Sequence, residues 1–149
     1  MARAFSLTSD SLSYFIGYTL FHAPRTVIVS PWLSDVVLRF PVNSHLDSRH
    51  MRLLEAVPEL PDADVTFVVR TGESHNEYVR ERLPAGVSFH EVDDLHAKVV
   101  VCDEYAYLGS ANITHGGLTV NREVCEVIEN EHGTAEAYLA EELDLDLPG

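Results

Sequence analysis

The sequence is nearly free of lysine and poor in cysteine and tryptophan. Its 149 residues include one Lys, two Cys and one Trp. Two cysteines do not make a disulfide framework, and both lie in valine-rich stretches, so we expect Cys102 and Cys125 to be buried thiols. No apolar run approaches the roughly 20 residues that a membrane-spanning helix needs. The longest run, residues 14–22, also lacks the charged flank and cleavage site of a signal peptide. We therefore expect a cytoplasmic protein without stable membrane association.

Basic residues are few, and the acidic ones are concentrated late in the chain. Twenty-four Asp and Glu face ten Lys and Arg, which gives a net charge of −14. Residues 101–149 hold eleven acidic residues and one basic residue, whereas residues 1–50 hold three and four. An acidic surface suits molar intracellular salt, which screens charge repulsion within about 3 Å. We favour this halophilic interpretation over an ordinary acidic cytoplasmic protein.

The length and apolar content indicate one folded domain covering residues 1–149, because 46% hydrophobic residues suffice for a core. Apolar periodicity and capping residues predict helices over 9–21, 44–57, 73–83 and 134–142. Runs of β-branched residues and alternating patterns predict strands over 26–30, 64–70, 87–92, 97–102, 105–109 and 122–129. Strands that alternate with helices predict an α/β fold in which helices flank a mixed β-sheet.

The polar residues with the clearest chemical pattern begin at His96 and Lys98. Side chains two apart in a strand share a face, so the imidazole and the chain's only ammonium project the same way. A fixed cation beside an imidazole disfavours the protonated ring and attracts a phosphate. This combination favours a neutral, nucleophilic histidine directed at an anion.

A second group of polar residues follows the tight turn at Asp103. Gly109 permits a close backbone approach, and Ser110 and Asn112 offer a hydroxyl and an amide that can hold phosphate oxygens. Glu123 precedes the last predicted strand, where a carboxylate can fix the tautomer of an imidazole. Plainer roles stay open for two of these residues: Asp103 as a cap of the turn, and Glu123 as one more surface acid.

The order H-x-K-x4-D, then G-S-x-N, then N-x-E resembles the phospholipase D superfamily. Eight residues match this pattern in type and order: His96, Lys98, Asp103, Gly109, Ser110, Asn112, Asn121 and Glu123. The sequence departs from it once, with five residues instead of six between Asp103 and Gly109. A shorter hairpin is either absorbed at the turn or shifts the strand register, and a shift would displace Ser110 and Asn112.

The resemblance implies a phospholipase D-like sandwich and a metal-independent phosphodiesterase without a cofactor. In that family one histidine attacks phosphorus, a second protonates the leaving oxygen, and a phosphohistidine intermediate forms. His96 and Lys98 would carry the reaction, with Ser110 and Asn112 on the phosphate, Glu123 on the imidazole and Asp103 in a supporting role. The chemistry needs two H-x-K motifs, and one lysine allows only one. The resemblance therefore implies a homodimer like the small endonucleases of this superfamily.

Substrate class is the least determined part of the sequence-based hypothesis. We favour a nuclease that acts on nucleic acid, although no stripe of Lys and Arg marks phosphate contacts. Phospholipid hydrolysis or phosphatidyl transfer is an alternative, and a non-catalytic dimerisation or sensor module is another. No metal site is indicated, because His45, His50, His75 and His90 lack companion ligands at suitable spacing. Trp32 is expected in the core or at an oligomer contact rather than at a cleft edge.

Overall fold

The computed structural model describes residues 4–7, 9–43, 46, 48–60, 64–110, 112–114, 118 and 125–147. Within these residues, the strands and α-helices follow in the order β1 (Ala4–Leu7), α1 (Ser9–His22), β2 (Arg25–Val29), β3 (Val37–Arg39), β4 (His50–Arg52), α2 (Leu53–Ala56), β5 (Asp64–Arg70), α3 (Glu77–Arg82), β6 (Ser88–Val92), β7 (Val99–Val101), β8 (Tyr105–Gly109), β9 (Cys125–Glu129) and α4 (Ala135–Leu143). Short 3-10 turns at Val57–Glu59 and Ser74–Asn76 lead out of α2 and into α3.

Seven strands form one mixed sheet in the order β1-β9-β8-β7-β2-β5-β6. Strands β2, β5 and β6 are parallel, and the remaining neighbours in the sheet are antiparallel. The parallel strands are joined by connections that contain helices, as parallel pairing requires. This arrangement confirms the α/β fold class with a mixed sheet and flanking helices.

Helices cover both faces of the sheet, and each face has its own apolar cluster. On one face the core holds residues from α1, α2 and α3, including Leu12, Ile16, Leu53 and Val79, packed against alternate strand residues such as Phe67. On the other face Val27, Val29, Val68, Val99 and Val101 pack against α4 through Ala135, Tyr138 and Leu139. Side chains on both faces are buried, which explains the nearly continuous valine and isoleucine runs of the central strands.

The helix predicted over residues 44–57 is wrong in its first part. His50–Arg52 is strand β4, which pairs antiparallel with β3 in a two-stranded sheet, and α2 covers only Leu53–Ala56. Strand β3 was not predicted at all. A three-residue strand is too short to show alternation, and the spacing of Met51, Leu53 and Leu54 fits either structure. Pro58 then confines the helical path to a short 3-10 turn.

Helix α1 approaches β3 closely because Gly17 carries no side chain. A Cβ at this position would overlap the backbone carbonyl oxygen of Arg39. The close approach lets Leu12, Ile16 and Leu20 pack fully buried on the same face as β3. Gly17 therefore has a packing function inside a helix, where glycine otherwise costs stability.

Two expectations on single residues have different outcomes. Cys102 is a buried free thiol, and burial raises its pKa above the ordinary value. The surroundings of the Cys125 side chain lie outside the described part of the structure.

No helix among the described residues is long and apolar enough to cross a membrane.

Candidate active site

The ends of several strands lie side by side at one end of the sheet, which we call the candidate edge. The carboxyl ends of β2, β5 and β8 lie beside the amino end of β7, because β7 runs antiparallel to both β2 and β8. Val99 at the start of β7 pairs with Val29 on one side and with Leu108 on the other. The next positions of this register are Lys98, Ser30 and Gly109. The fold thus brings together the two polar groups that the sequence separates by a hairpin.

His96 and Lys98 lie immediately before β7 at this edge. His96 is exposed and Lys98 is half-buried. The Lys98 ammonium donates a hydrogen bond from Nζ to the carbonyl oxygen of His96 over 3.2 Å. The ammonium of the chain's only lysine therefore lies beside the backbone of His96, the other residue of the H-x-K motif.

Arg70 adds a second cation next to His96, and the sequence pattern did not single it out. Its Nη1 lies 3.5 Å from Nδ1 of His96 and 3.4 Å from the carbonyl oxygen of Leu95. Its Nε donates to Glu73 over 2.9 Å, which fixes the guanidinium on its other side. Sequence reasoning treated Arg70 only as the last residue of a strand. The available signal was a basic residue at the carboxyl end of a buried parallel strand, where α/β folds place ligand-binding groups.

Asn112 is positioned by Ser30, a second residue that sequence reasoning missed. The buried Ser30 Oγ lies 3.3 Å from Asn112 Oδ1 and accepts from the Ile113 backbone N–H over 3.0 Å. The Trp32 backbone N–H lies 3.5 Å from the same Oδ1. Leu33 and Ile113 form a parallel bridge that joins the two segments. The carbonyl end of the Asn112 amide therefore faces β2 and its continuation.

The hairpin between Asp103 and Gly109 pairs in a continuous antiparallel register. Val99, Val100 and Val101 pair in continuous register with Leu108, Tyr107 and Ala106. The Cys102 N–H donates to the Tyr105 carbonyl over 2.9 Å and closes a two-residue turn at Asp103 and Glu104. Gly109 and Ser110 follow as exposed residues at the candidate edge.

Asp103 does not lie with the other predicted site residues. It follows β7 at the carboxyl end, whereas His96 and Lys98 precede the amino end of the same strand. Its Oδ1 accepts a hydrogen bond from the Ala135 backbone N–H over 3.0 Å, at the first turn of α4. Asp103 thus stabilises the start of a helix, and we do not retain it among the groups that contact substrate.

Trp32 is exposed at the candidate edge, which corrects the expectation of burial in the core. Its exposed fraction is 44%. Its indole lies beside the His75 ring, with ring centroids 6.0 Å apart. Asn121 and Glu123 lie outside the described residues.

The described residues contain no group of three or more His, Cys, Asp or Glu side chains placed to hold a metal ion. The positively charged groups near His96 are instead the ammonium of Lys98 and the guanidinium of Arg70. An imidazole with organic cations nearby can bind a phosphate diester and react with it.

Comparisons with known proteins identify the family of the chain. The family described as "Cardiolipin synthase, PLD-like domain" matches residues 58–145, more than half of the chain. No curated protein matches the chain.

Three solved structures resemble the whole fold. Nuc, a phospholipase D family member from Salmonella typhimurium, has a TM-score of 0.60 and 18% identity, over 97% of this chain and 92% of that one. NucT from Helicobacter pylori has a TM-score of 0.61 and 14% identity, over 97% and 96%. TrmBL2, an archaeal chromatin protein whose structure shows a novel mode of DNA binding, has a TM-score of 0.51 and 11% identity, over 95% and 50%. The family match, whose range contains His96 and Lys98, shows that the chain belongs to the phospholipase D superfamily, and the folds of Nuc and NucT agree with it.

Proposed function

We propose that the protein is a metal-independent phosphodiesterase that cleaves nucleic acid as a homodimer. The observation that carries this proposal is the convergence of one imidazole and two cations at an exposed strand edge. Arg70 lies 3.5 Å from the His96 ring, and Lys98 is bonded to the His96 backbone. Cations close to a nucleophile draw in a phosphate and stabilise the charge that develops during transfer.

In the proposed reaction Nε2 of His96 attacks phosphorus. A nitrogen–phosphorus bond forms while one phosphorus–oxygen ester bond breaks, and the leaving oxygen takes a proton from His96 of the partner subunit. Water then attacks the phosphohistidine, gives up one proton to the partner's His96, and releases the phosphate monoester. This division replaces one difficult displacement by two easier ones.

The tautomer of His96 decides which of the two roles a given copy performs. An arginine has only donors, so its contact with His96 makes Nδ1 the acceptor and leaves the proton on Nε2. A ring in this form can donate to a leaving oxygen. Nucleophilic attack needs the other tautomer, and a carboxylate that accepts from Nδ1 would favour it. We assign that acceptor role to Glu123, in competition with Arg70.

Asn112 is proposed to bind a non-bridging phosphate oxygen through Nδ2. Its Oδ1 already faces the Ser30 hydroxyl and the Trp32 N–H, so the amine end is the one that can donate to substrate. Gly109 and Ser110, exposed at the end of β8, are proposed to approach the same phosphate. Lys98 and Arg70 supply the positive charge.

A dimer is proposed because the two-histidine reaction cannot be completed within one chain that has a single H-x-K motif. A two-fold axis near His96 would bring two copies of the motif to one phosphate, and such an interface must be self-complementary. The nearly neutral first 50 residues would contribute to it, since they carry three acidic and four basic residues.

Nucleic acid is proposed as substrate on the strength of the fold's relatives and of the charge at the site. Nuc and NucT share this fold over almost their whole length, and TrmBL2 binds DNA. The net charge of −14 opposes binding of a polyanion in dilute buffer, but molar salt screens this repulsion within about 3 Å. We therefore propose that the protein acts in the cytoplasm of a cell with a high internal salt concentration.

The proposal is tested by nuclease assays in about 2–3 M KCl, a concentration chosen for screening, with a chelator present. We expect the wild-type chain to cleave oligonucleotides and His96→Ala to lose cleavage by at least about 1,000-fold, since the nucleophile is removed. His50→Ala changes an exposed histidine on β4 and should retain activity. Light scattering in the same buffer should give the mass of a dimer.

Other results would overturn parts of the proposal. Cleavage that strictly requires an added divalent metal contradicts the phosphohistidine mechanism. Hydrolysis of liposomal phospholipid in preference to oligonucleotides contradicts the substrate class. A monomer without hydrolytic activity on either substrate would identify a non-catalytic module with the same fold.

A further inference from the structure

Trp32 combines an exposed side chain with a tightly fixed backbone. Its exposed fraction is 44%, although it follows a buried parallel strand. Its N–H lies 3.5 Å from Asn112 Oδ1, and its carbonyl accepts from the Ser30 hydroxyl over 2.6 Å. A large apolar ring that a rigid segment keeps exposed to solvent is typical of a binding residue rather than of a core residue.

The residues on either side of Trp32 are fixed by one buried amide. Asn76 donates from Nδ2 to the Pro31 carbonyl over 2.9 Å and accepts from the Leu33 N–H over 2.8 Å. The Arg70 N–H donates to the same Pro31 carbonyl over 3.3 Å. The indole therefore projects from a backbone that is already ordered before any ligand arrives, which reduces the entropy lost on binding.

His75 flanks the indole and is itself anchored. The two rings have centroids 6.0 Å apart and planes inclined by 34°. The His75 Nε2 lies 2.8 Å from the Ser34 hydroxyl, which restrains rotation of the ring. Trp32 and His75 together form an aromatic surface, which we call the Trp32 platform.

The Trp32 platform adjoins the phosphate site through shared contacts. The Oδ1 of Asn112, whose amine end is assigned to a phosphate oxygen, lies 3.3 Å from Ser30 Oγ and 3.5 Å from the Trp32 backbone nitrogen. Arg70, which lies 3.5 Å from His96, is bonded through its own N–H to the residue before Trp32. The backbone that carries the Trp32 platform is therefore in direct contact with residues that we assign to the phosphate site.

We propose that the Trp32 platform binds an unpaired nucleobase next to the phosphate that is cleaved. This inference rests on the proposed nuclease function and specifies its substrate as single-stranded nucleic acid. Stacking on tryptophan is available to every base, so the site tolerates different sequences, and a paired base inside a duplex does not expose its face.

Stacking on the Trp32 platform also offsets the repulsion between the negatively charged chain and a nucleic acid. Contacts to phosphates weaken steeply as salt rises, whereas stacking of apolar rings does not depend on counterion release. An acidic protein in molar salt therefore needs a non-ionic contribution to hold a nucleic acid. An exposed tryptophan beside the site supplies that contribution.

The test uses Trp32 as its own probe, because it is the only tryptophan in the chain. The full-length His96→Ala protein, which cannot turn over substrate, is titrated in about 2 M KCl with oligothymidylate. An abasic oligonucleotide with the same number of phosphates is titrated in parallel. We expect tryptophan fluorescence to be quenched by the first and not by the second, and affinity for the first to be about tenfold higher.

Substitutions separate stacking from general damage. Labelled oligonucleotides, followed by anisotropy, should lose the preference over the abasic strand with Trp32→Leu in the same background and keep most of it with Trp32→Tyr. Tyr18→Leu is the matched control, since Tyr18 is 43% exposed but lies near Asp103, at the other end of β7. Tyr18→Leu should leave the preference unchanged.

The outcomes distinguish failure of the platform from failure of the nuclease proposal. Equal affinity for both strands overturns the platform, even if wild-type protein cleaves phosphodiesters. A tryptophan fluorescence signal that responds to neither strand also overturns it. Preferential binding of the base-containing strand without cleavage by wild-type protein supports the platform and overturns the nuclease proposal.

Discussion

Nη1 of Arg70 lies 3.5 Å from Nδ1 of His96, while Nε of the same guanidinium is bonded to Glu73 over 2.9 Å. Arg70, which precedes His96 by 26 positions in sequence, is therefore part of the environment of the candidate nucleophile. Glu73 restrains the guanidinium without occupying Nη1. A substrate phosphate that displaces the contact with His96 would find Arg70 already oriented.

Arg70→Gln should weaken substrate binding more than the chemical step. Removing a charged hydrogen bond of about 1.5–3 kcal/mol predicts a rise in KM of about 10-fold or more for oligonucleotide cleavage. Arg70→Lys should retain part of the binding, because it keeps the charge without the planar donors. Arg80→Gln serves as control, since Arg80 is an exposed arginine of α3. An unchanged KM in Arg70→Gln would remove Arg70 from the site.

Asp103→Ala should reduce stability without reducing cleavage per folded molecule. The variant loses the acceptor for the Ala135 N–H at the start of α4, a capping contact of about 1 kcal/mol. Asp103→Asn keeps an acceptor oxygen and should unfold closer to wild type. Urea unfolding in KCl measures the expected loss of stability. Specific activity in the same salt shows whether cleavage per folded molecule is unchanged. Loss of activity in a fully folded Asp103→Ala protein would restore Asp103 to the catalytic group.

Gly17→Ala should destabilise the fold through overlap with β3. The added methyl group meets the Arg39 carbonyl oxygen, and overpacking of this kind costs about 1–3 kcal/mol. Gly86→Ala is the matched control, because no atom lies within 4 Å of a Cβ added there. Thermal unfolding of the two variants under the same conditions measures the difference. Equal melting temperatures would contradict the close approach of α1 to β3.

Tyr138→Phe should make the protein less sensitive to alkaline pH. Burial, with a contribution from the Glu142 carboxylate, raises the pKa of Tyr138 from 10.0 to about 12. The unfolded chain therefore loses this proton at lower pH than the folded chain, so stability falls as pH rises from about 10 to 12. Unfolding free energies at several pH values across that interval should fall more steeply for wild type than for Tyr138→Phe. Identical slopes would contradict the raised pKa.

The sequence predicted the central strands and the chemical motif because both depend on local pattern. The strand over 105–109 and the two-residue turn at Asp103 and Glu104 occur where the pattern placed them. The helix beginning at Ser9 is also confirmed, and it ends at His22. These elements have either a continuous apolar run or clear breaking residues at their ends.

Contacts between distant segments could not be predicted in this way. Ser30 and Arg70 join the site only because β2 and β5 end at the same edge as the start of β7. Trp32 was expected in the core or at an oligomer contact, and the loop after β2 excludes the first by fixing it at the surface. The pairing of β3 with β4 likewise depends on residues more than ten positions apart.

The central claim, that His96 is the nucleophile, is tested most directly by trapping phosphate on the protein. Wild-type chain is mixed with a radiolabelled aryl phosphodiester in about 2–3 M KCl with chelator, a salt level chosen for screening, and quenched in alkali. We predict an alkali-stable, acid-labile label that maps to His96 and is absent from His96→Ala. Release of the aryl alcohol by a protein that never carries label on His96, or by His96→Ala at the wild-type rate, would contradict the account.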